Sequence, residues 1–127
     1  ILAPGVGKNM GDGWETRRRR DKGNDWLILN SIDGKYIDKI EISTHHFKGN
    51  FPSHCSLQAA YLSSKSSKQI VNSSKKWKYL LKNTKLSANK THKFNNSLMK
   101  KEKINHIKIN IFPDGGISRF RIFGKKI

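Results

Sequence analysis

The chain has 127 residues and a mass of 14.6 kDa, which suits one domain, since compact domains most often contain about 100–150 residues. Its 26 basic and 9 acidic residues give a formal net charge of +17, a balance typical of proteins that bind nucleic acid or another anionic surface. No apolar run approaches the roughly 18–20 residues of a membrane helix, and the single cysteine excludes an internal disulfide or a zinc site of several cysteines.

The chain begins without the charged and then apolar segments of a secretory signal peptide, and also without an initiator Met. We therefore expect a cytoplasmic protein that is truncated at its N-terminus. Strands are predicted where apolar and polar residues alternate, because each strand then buries one face. In chain order, the predicted strands are residues 25–29, 37–42, 55–61, 77–81, 92–94, 107–111 and 120–122.

Turn-forming residues separate these strands, among them Asp33-Gly34 and the run from Pro113 to Gly116. Residues 63–76 are rich in Ser and Lys, and we expect them to be a long surface loop and the most mobile stretch. No segment has a convincing amphipathic helical period, so the pattern predicts an all-β sandwich with less than roughly 10–15% helix. The residues expected in its core are Trp26, Ile40, Ile42, Ile109, Ile111, Phe120 and Ile122.

Three motifs differ from the lysine-rich background because they combine charged, aromatic and glycine residues. The first is DGWETRRRR at residues 12–20. In an extended segment alternate side chains share a face, so one face is predicted to carry Asp12, Trp14, Thr16 and Arg18, and the other Glu15, Arg17 and Arg19. An arginine there either clamps a substrate carboxylate through two parallel hydrogen bonds or forms a structural ion pair with Glu15.

The second motif is THHFKGNFP at residues 44–52. His46 is a candidate general base, general acid or metal ligand, and the alternative is a hydrogen-bonded packing histidine. Two adjacent histidines point to opposite faces of a strand, so the pattern gives little support to a metal site. In the third motif, PDGGISRFRIFG at residues 113–124, a tight turn leaves Asp114 at its tip. Arg119 either lines a pocket or lies on a solvated strand face.

Together these motifs resemble those of the allantoicase family, whose chain is similar to two copies of one β-sandwich repeat. The resemblance rests on DGWETRR, on HFKGN within the second motif and on the PDGGxxRxRxxG pattern of the third. It covers nearly the whole chain, weakly across residues 62–103, and is closer to the second repeat than to the first. It implies a jelly-roll β-sandwich like that of galactose-binding domains, and a missing repeat that a companion repeat or a homo-oligomer would supply.

The reaction that the resemblance implies is hydrolysis of allantoate to ureidoglycolate and urea, and the sequence gives no reason to name a cofactor or a metal ligand for it. Breaking the C–N bond requires a cation for the substrate carboxylate, an acid for the departing urea nitrogen and a base for water. Arg17 or Arg18, helped by Lys48, suits the first task, and Glu15, His46 and Asp114 are the candidates for proton transfer. The remaining residues expected to bind substrate are Asp12, Trp14, Thr16, Asn50 and Arg119.

Two other functions compete with this hypothesis. The same jelly roll can serve as a non-catalytic module that binds a small anion or a sugar, because a fold does not fix a function. A nucleic-acid-binding face is the third alternative, but the family motif accounts better for the arginine run, so we expect neither a nucleic-acid nor a membrane partner. If the enzyme hypothesis holds, the three motifs should line one positively charged pocket at one end of the sandwich.

Overall fold

The computed structural model describes residues 1–2, 13–63, 65–95, 98 and 103–126, without the side chains of residues 31–35 and 125–126. Antiparallel strands dominate this part of the chain, which confirms the all-β prediction. The elements are β1 (Trp14–Glu15), β2 (Asp25–Ser43), β3 (His54–Ala60), α1 (Ser67–Ser74), β4 (Lys78–Lys85), β5 (Thr91–Phe94), β6 (Ile104–Phe112), β7 (Gly116–Ile117) and β8 (Arg119–Lys126).

The long strand β2 links the two layers of the sandwich. Its first part, from Asp25 to Asn30, pairs with β6, which continues to β3 and β4. Its last part, from Ile40 to Ser43, lies between β5 and β8. The register against β6 shifts between Asn30 and Lys35. The predicted turn at residues 33–34 is therefore wrong, since the strand continues there and changes partners at an irregularity of the kind that glycine favours.

The apolar core lies between these layers. Ile107, Ile109 and Ile111 of β6 face it together with Leu57 of β3, as the alternating pattern predicts. The predicted core residues that are buried are Ile40, Ile42, Ile109, Ile111 and Phe120, and Ile122 is partly buried against them.

The prediction for Trp26 is wrong, because its side chain is 42% exposed. Its strand neighbour Leu27 pairs with the core residue Ile109, whereas Trp26 pairs with Asn110 on the opposite face. There the indole lies against the Lys108 ammonium, whose nitrogen is 4.8 Å from the ring centroid. Alternation along the strand therefore decides the side, even though tryptophan is apolar.

The segment 63–76 is also different from its prediction as a loop, because it contains the helix α1. Ser66 forms the N-cap: its hydroxyl accepts from the Gln69 N–H, and the Gln69 side chain accepts from the Ser66 N–H. This reciprocal capping box is visible in the sequence as Ser-x-x-Gln. Because α1 has only 8 residues, the prediction of little helix is confirmed for the described residues. Among those residues no helix is long and apolar enough to cross a membrane.

The helix covers polar side chains on the outer face of the first layer. Lys108 Nζ donates to Ser74 Oγ at 3.1 Å. Asn110 Nδ2 donates to Gln58 Oε1 at 3.0 Å, and Gln58 Nε2 donates to the Trp77 carbonyl at 3.1 Å. Lys108, Asn110 and Gln58 thus each have a hydrogen-bond partner, as burial away from water requires.

Candidate active site

Backbone pairing brings the first motif to the third. Strand β1 pairs with β7, so that Trp14 lies opposite Ile117 and Glu15 opposite Gly116. Beyond the strand, the Thr16 N–H donates to the Gly115 carbonyl at 3.0 Å, and the Gly115 N–H donates to Thr16 Oγ1 at 3.1 Å. The two motifs are almost 100 residues apart in the chain, yet these contacts hold them side by side.

The second motif packs on the same two glycines. The Gly116 N–H donates to the Asn50 carbonyl at 2.9 Å, and a Cβ on Gly116 would lie 1.9 Å from the buried ring of Phe47. Gly115 has a φ of +130°, and a Cβ there would lie 2.6 Å from the Asn50 carbonyl oxygen. Gly116 is therefore required by the close approach of Phe47, and Gly115 by its backbone conformation.

These contacts leave a cavity of about 620 Å³, here called the motif cavity. Five predicted site residues line it: Glu15, Thr16, Arg18, Asn50 and Asp114. The other lining residues are Gly49, Phe51, Ser53, Lys85, Leu86, Ser87, Ala88, Pro113 and Gly115. All three motifs thus contribute to one concave surface at the end of the sandwich.

The two carboxylates of the motif cavity are each held by a neighbour. Glu15 accepts a hydrogen bond from Asn50 Nδ2, which comes from the second motif. Asp114 Oδ2 accepts from the backbone N–H of Arg19 at 2.7 Å, which comes from the first motif. Both carboxylates keep further lone pairs for a ligand, because a carboxylate offers about four acceptor positions.

The cations of the motif cavity are Arg18 and Lys85, and both are exposed. Neither takes part in an ion pair within the described residues. Arg19 is different, since its guanidinium pairs with Asp25 at 2.6 Å and with Asp21 at 2.9 Å. Hydrogen bonds from the Gly23 N–H and then from Arg19 lower the pKa of Asp21. The ion pair between Glu15 and an arginine that the sequence suggested is therefore not formed among the described residues, and Arg19 pairs with two aspartates instead.

His46 lies beside the motif cavity without lining it. Its backbone has a φ of +75°, and its N–H donates to Asn89 Oδ1 at 2.8 Å. The His46 ring is 4.2 Å, centroid to centroid, from that of His45. The turn that carries these rings therefore adjoins the cavity-lining residues that precede Asn89.

The other predicted site residues do not line the motif cavity. Arg17 and Lys48 are exposed, and Trp14 packs partly buried against the core. Arg119 is buried, and its guanidinium donates to the Ser118 carbonyl at 2.7 Å. Asp12 lies outside the described residues. The expected alternation fails after Glu15, where β1 ends, so Glu15, Thr16 and Arg18 all reach the cavity.

Lys85 and Ser87 are lining residues that the sequence did not single out. Lys85 ends β4 and lies opposite His54 of β3, and this register brings the following residues to the cavity. No local signal distinguishes Lys85, because Lys and Arg together account for 26 residues of the chain. Only the long-range strand pairing identifies its position.

The described part of the chain holds neither a metal-binding cluster nor a reactive thiol. No group of three or more His, Cys, Asp or Glu side chains there is arranged to hold a metal ion. Cys55 is buried in the core, and this burial raises the pKa of its thiol to about 12. A thiol with that pKa remains protonated near neutral pH and is a poor nucleophile.

Comparisons with known proteins agree with the motifs. A family model described as "Allantoicase repeat" matches residues 1–127. A probable allantoicase of Acinetobacter baumannii (strain AYE) is 50% identical over 98% of the chain, which spans 37% of that protein. A probable allantoicase of Stutzerimonas stutzeri is 47% identical over 100% of the chain and 38% of its own length.

Solved structures of allantoicase are also similar to this chain. A crystal structure of allantoicase from Saccharomyces cerevisiae matches with a TM-score of 0.79 and 31% identity, over 96% of this chain and 34% of that one. A second structure of allantoicase matches with the same score over 35% of its chain. The jelly-roll sandwich prediction is thereby confirmed. The chain spans little more than a third of the curated relatives it matches, and it belongs to the allantoicase family, of which it is a single repeat.

Proposed function

We propose that this repeat contributes a substrate site to an enzyme that hydrolyses allantoate to ureidoglycolate and urea. The observation that carries the proposal is the motif cavity, in which three family motifs bring carboxylates and cations together. Allantoate is a carboxylate with two ureido groups on its central carbon. A site for it therefore needs a cation for the carboxylate and groups that exchange protons with water and nitrogen.

Arg18 is the proposed partner of the substrate carboxylate. Its guanidinium is free of ion pairs within the described residues, and its planar fork matches a carboxylate through two hydrogen bonds. Arg17 was the other candidate from the sequence, but its side chain lies outside the motif cavity. The geometry therefore favours Arg18.

Glu15 and Asp114 are the proposed proton-transfer groups, with His46 in the adjoining turn as the third candidate. In the reaction, the water oxygen bonds to the central carbon while the carbon–nitrogen bond breaks. One group takes the proton from water, and another gives a proton to the nitrogen that leaves as urea. Glu15 is held by Asn50 and Asp114 by the Arg19 N–H, so both carboxylates are oriented before substrate arrives.

We propose further that a companion repeat, or a second copy of the chain, completes the site. This chain spans about 37% of its relatives, and Glu15 and Arg18 are exposed. A surface placed over the motif cavity would exclude water and strengthen the electrostatic contacts inside it.

Urea release from allantoate tests the proposal. The chain alone should be compared with a protein of the relatives' full length that contains it, and with allantoate's carboxamide analogue as the control substrate. We expect urea from allantoate with the full-length protein and at least tenfold less from the carboxamide, about 1.4 kcal/mol of transition-state stabilisation. Binding of allantoate by the full-length protein without urea release would instead support the non-catalytic module.

A further inference from the structure

One wall of the motif cavity is a loop that connects β4 to β5. This wall loop, residues 86–90, contributes the lining residues Leu86, Ser87 and Ala88. Its first residue is fixed by the Leu86 N–H, which donates to the Ser53 carbonyl at 3.0 Å. Further along, the Asn89 N–H donates to the Phe47 carbonyl at 3.1 Å. The wall loop is therefore tied at both ends to the segment that contains the second motif.

Buried Thr44 holds the wall loop through hydrogen bonds of its hydroxyl and its backbone N–H. Its hydroxyl donates to the Ser87 carbonyl at 2.6 Å and accepts from the Lys90 N–H at 3.1 Å. Its own N–H donates to the Lys90 carbonyl at 2.8 Å. These bonds fix the carbonyl side of Ser87, but they leave the Ser87 N–H to another partner.

That partner is His92, the second residue of β5. The Ser87 N–H donates to His92 Nε2 at 2.8 Å, and His92 Nδ1 lies 3.0 Å from the Ile42 carbonyl oxygen. An imidazole nitrogen that accepts carries no proton, and a nitrogen that faces a carbonyl must donate. The two contacts together require the neutral ring with its proton on Nδ1. His92 thereby connects the interior strand β2 to a residue that lines the motif cavity.

We propose that His92 is a positioning residue of the substrate site, acting through Ser87 as a neutral ring protonated on Nδ1. It holds the N–H of Ser87 while Thr44 holds the carbonyl, so two side chains outside the cavity fix one lining residue. The position of Asn89, two residues later, follows from the same anchoring, and Asn89 in turn accepts from the His46 N–H. The link to substrate rests on the proposed function, whereas the tautomer does not.

Two variants of nearly equal size separate the two bonds of His92. In His92→Gln, an amide oxygen lies at the distance of Nε2 and can accept from Ser87. In His92→Asn, the shorter amide lies at the distance of Nδ1 and can donate to Ile42, but it cannot reach Ser87. Lys93→Asn changes an exposed neighbour on the same strand and is the control. All variants are made in the full-length protein.

The proposal predicts that His92→Gln keeps kcat/KM for allantoate within about threefold of the parent. His92→Asn should lose about tenfold in kcat/KM through a higher KM, because Ser87 loses the hydrogen bond that fixes its N–H in the wall loop. Lys93→Asn should not change kcat/KM. Equal losses in the two His92 variants, or no loss in either, would overturn the positioning role.

A measurement without substrate tests the tautomer. Nitrogen-15 NMR of the imidazole should show a neutral His92 ring with the proton on Nδ1, and the Ser87 amide should exchange slowly in the parent and in His92→Gln but faster in His92→Asn. A proton on Nε2, or rapid Ser87 exchange in the parent, overturns the inference. If the parent releases no urea but these spectra are as expected, the proposed function fails while the hydrogen-bonding role of His92 stands.

Discussion

The contact between Gly116 and Phe47 predicts that a single methyl group will disrupt the site's framework. In Gly116→Ala the new Cβ would lie 1.9 Å from the ring, which must move by about 1.5 Å to reach a tolerable separation of 3.4 Å. Phe47 is fully buried, so its ring can move only against packed neighbours. Overpacking a core typically costs about 1–3 kcal/mol, so we expect a loss of about 3 kcal/mol in the free energy of unfolding.

Guanidinium denaturation with a matched control measures this loss. Gly49→Ala adds the same methyl group to the second motif at an exposed position, where no heavy atom lies within 4 Å, so it should change stability by less than about 0.5 kcal/mol. The double variant Gly116→Ala with Phe47→Leu should be more stable than additivity predicts, because the smaller side chain relieves the clash. Equal effects of the two alanine variants would refute the packing of the second motif on the third.

Three further predictions concern the cation, a buried histidine and the helix cap. Arg18→Lys should lower kcat/KM for allantoate at least tenfold in a full-length protein, about 1.4 kcal/mol, because lysine lacks the planar fork. Arg17→Lys, outside the motif cavity, should have a smaller effect. A larger loss from Arg17→Lys than from Arg18→Lys would instead assign the substrate carboxylate to Arg17. Burial lowers the pKa of His106, whose Nε2 has no hydrogen-bond partner among the described residues. The ring therefore binds a proton more readily in the unfolded chain than in the folded one. The free energy of unfolding should be independent of this ring above about pH 6.5 and should fall as the pH drops below that value. His106→Phe should flatten this dependence in denaturation curves, and an unchanged slope would contradict it. Ser66→Ala removes the N-cap of α1 and should cost about 1 kcal/mol, whereas Ser63→Ala should cost little; equal losses would show that the cap does not stabilise the helix.

Strand periodicity predicted the fold where one face of a strand is apolar. Ile107, Ile109 and Ile111 identify β6 because alternate residues share a face, and the core confirms that assignment. The same rule, applied to Leu27 and Leu29, would have placed Trp26 on the outer face, and the error came from ranking tryptophan by its hydrophobicity alone. The helix α1 was missed because the Ser and Lys composition of residues 63–76 obscured the capping signal at Ser66.

The candidate site was predictable to the extent that it resides in motifs. Glu15, Asn50 and Asp114 were all selected from the sequence, and they line the motif cavity together. Lys85 and His92 were not selected, since their positions depend on the register of β4 against β3 and of β5 against β2. Pairing between distant strands leaves no mark in a single local segment, and in a lysine-rich chain one cavity-lining lysine has no distinctive neighbours in the sequence.

The most direct test of the account is the rate of urea release by a full-length protein in which Glu15→Gln and Asp114→Asn are introduced singly into this repeat. Each variant keeps an oxygen to accept the bond from Asn50 or from the Arg19 N–H, so the geometry survives while the carboxylate is lost. If the motif cavity is the catalytic site, at least one variant should be slower by about 100-fold or more, the scale of general acid–base catalysis. Rates within about threefold of the parent for both variants would contradict a catalytic role for these carboxylates.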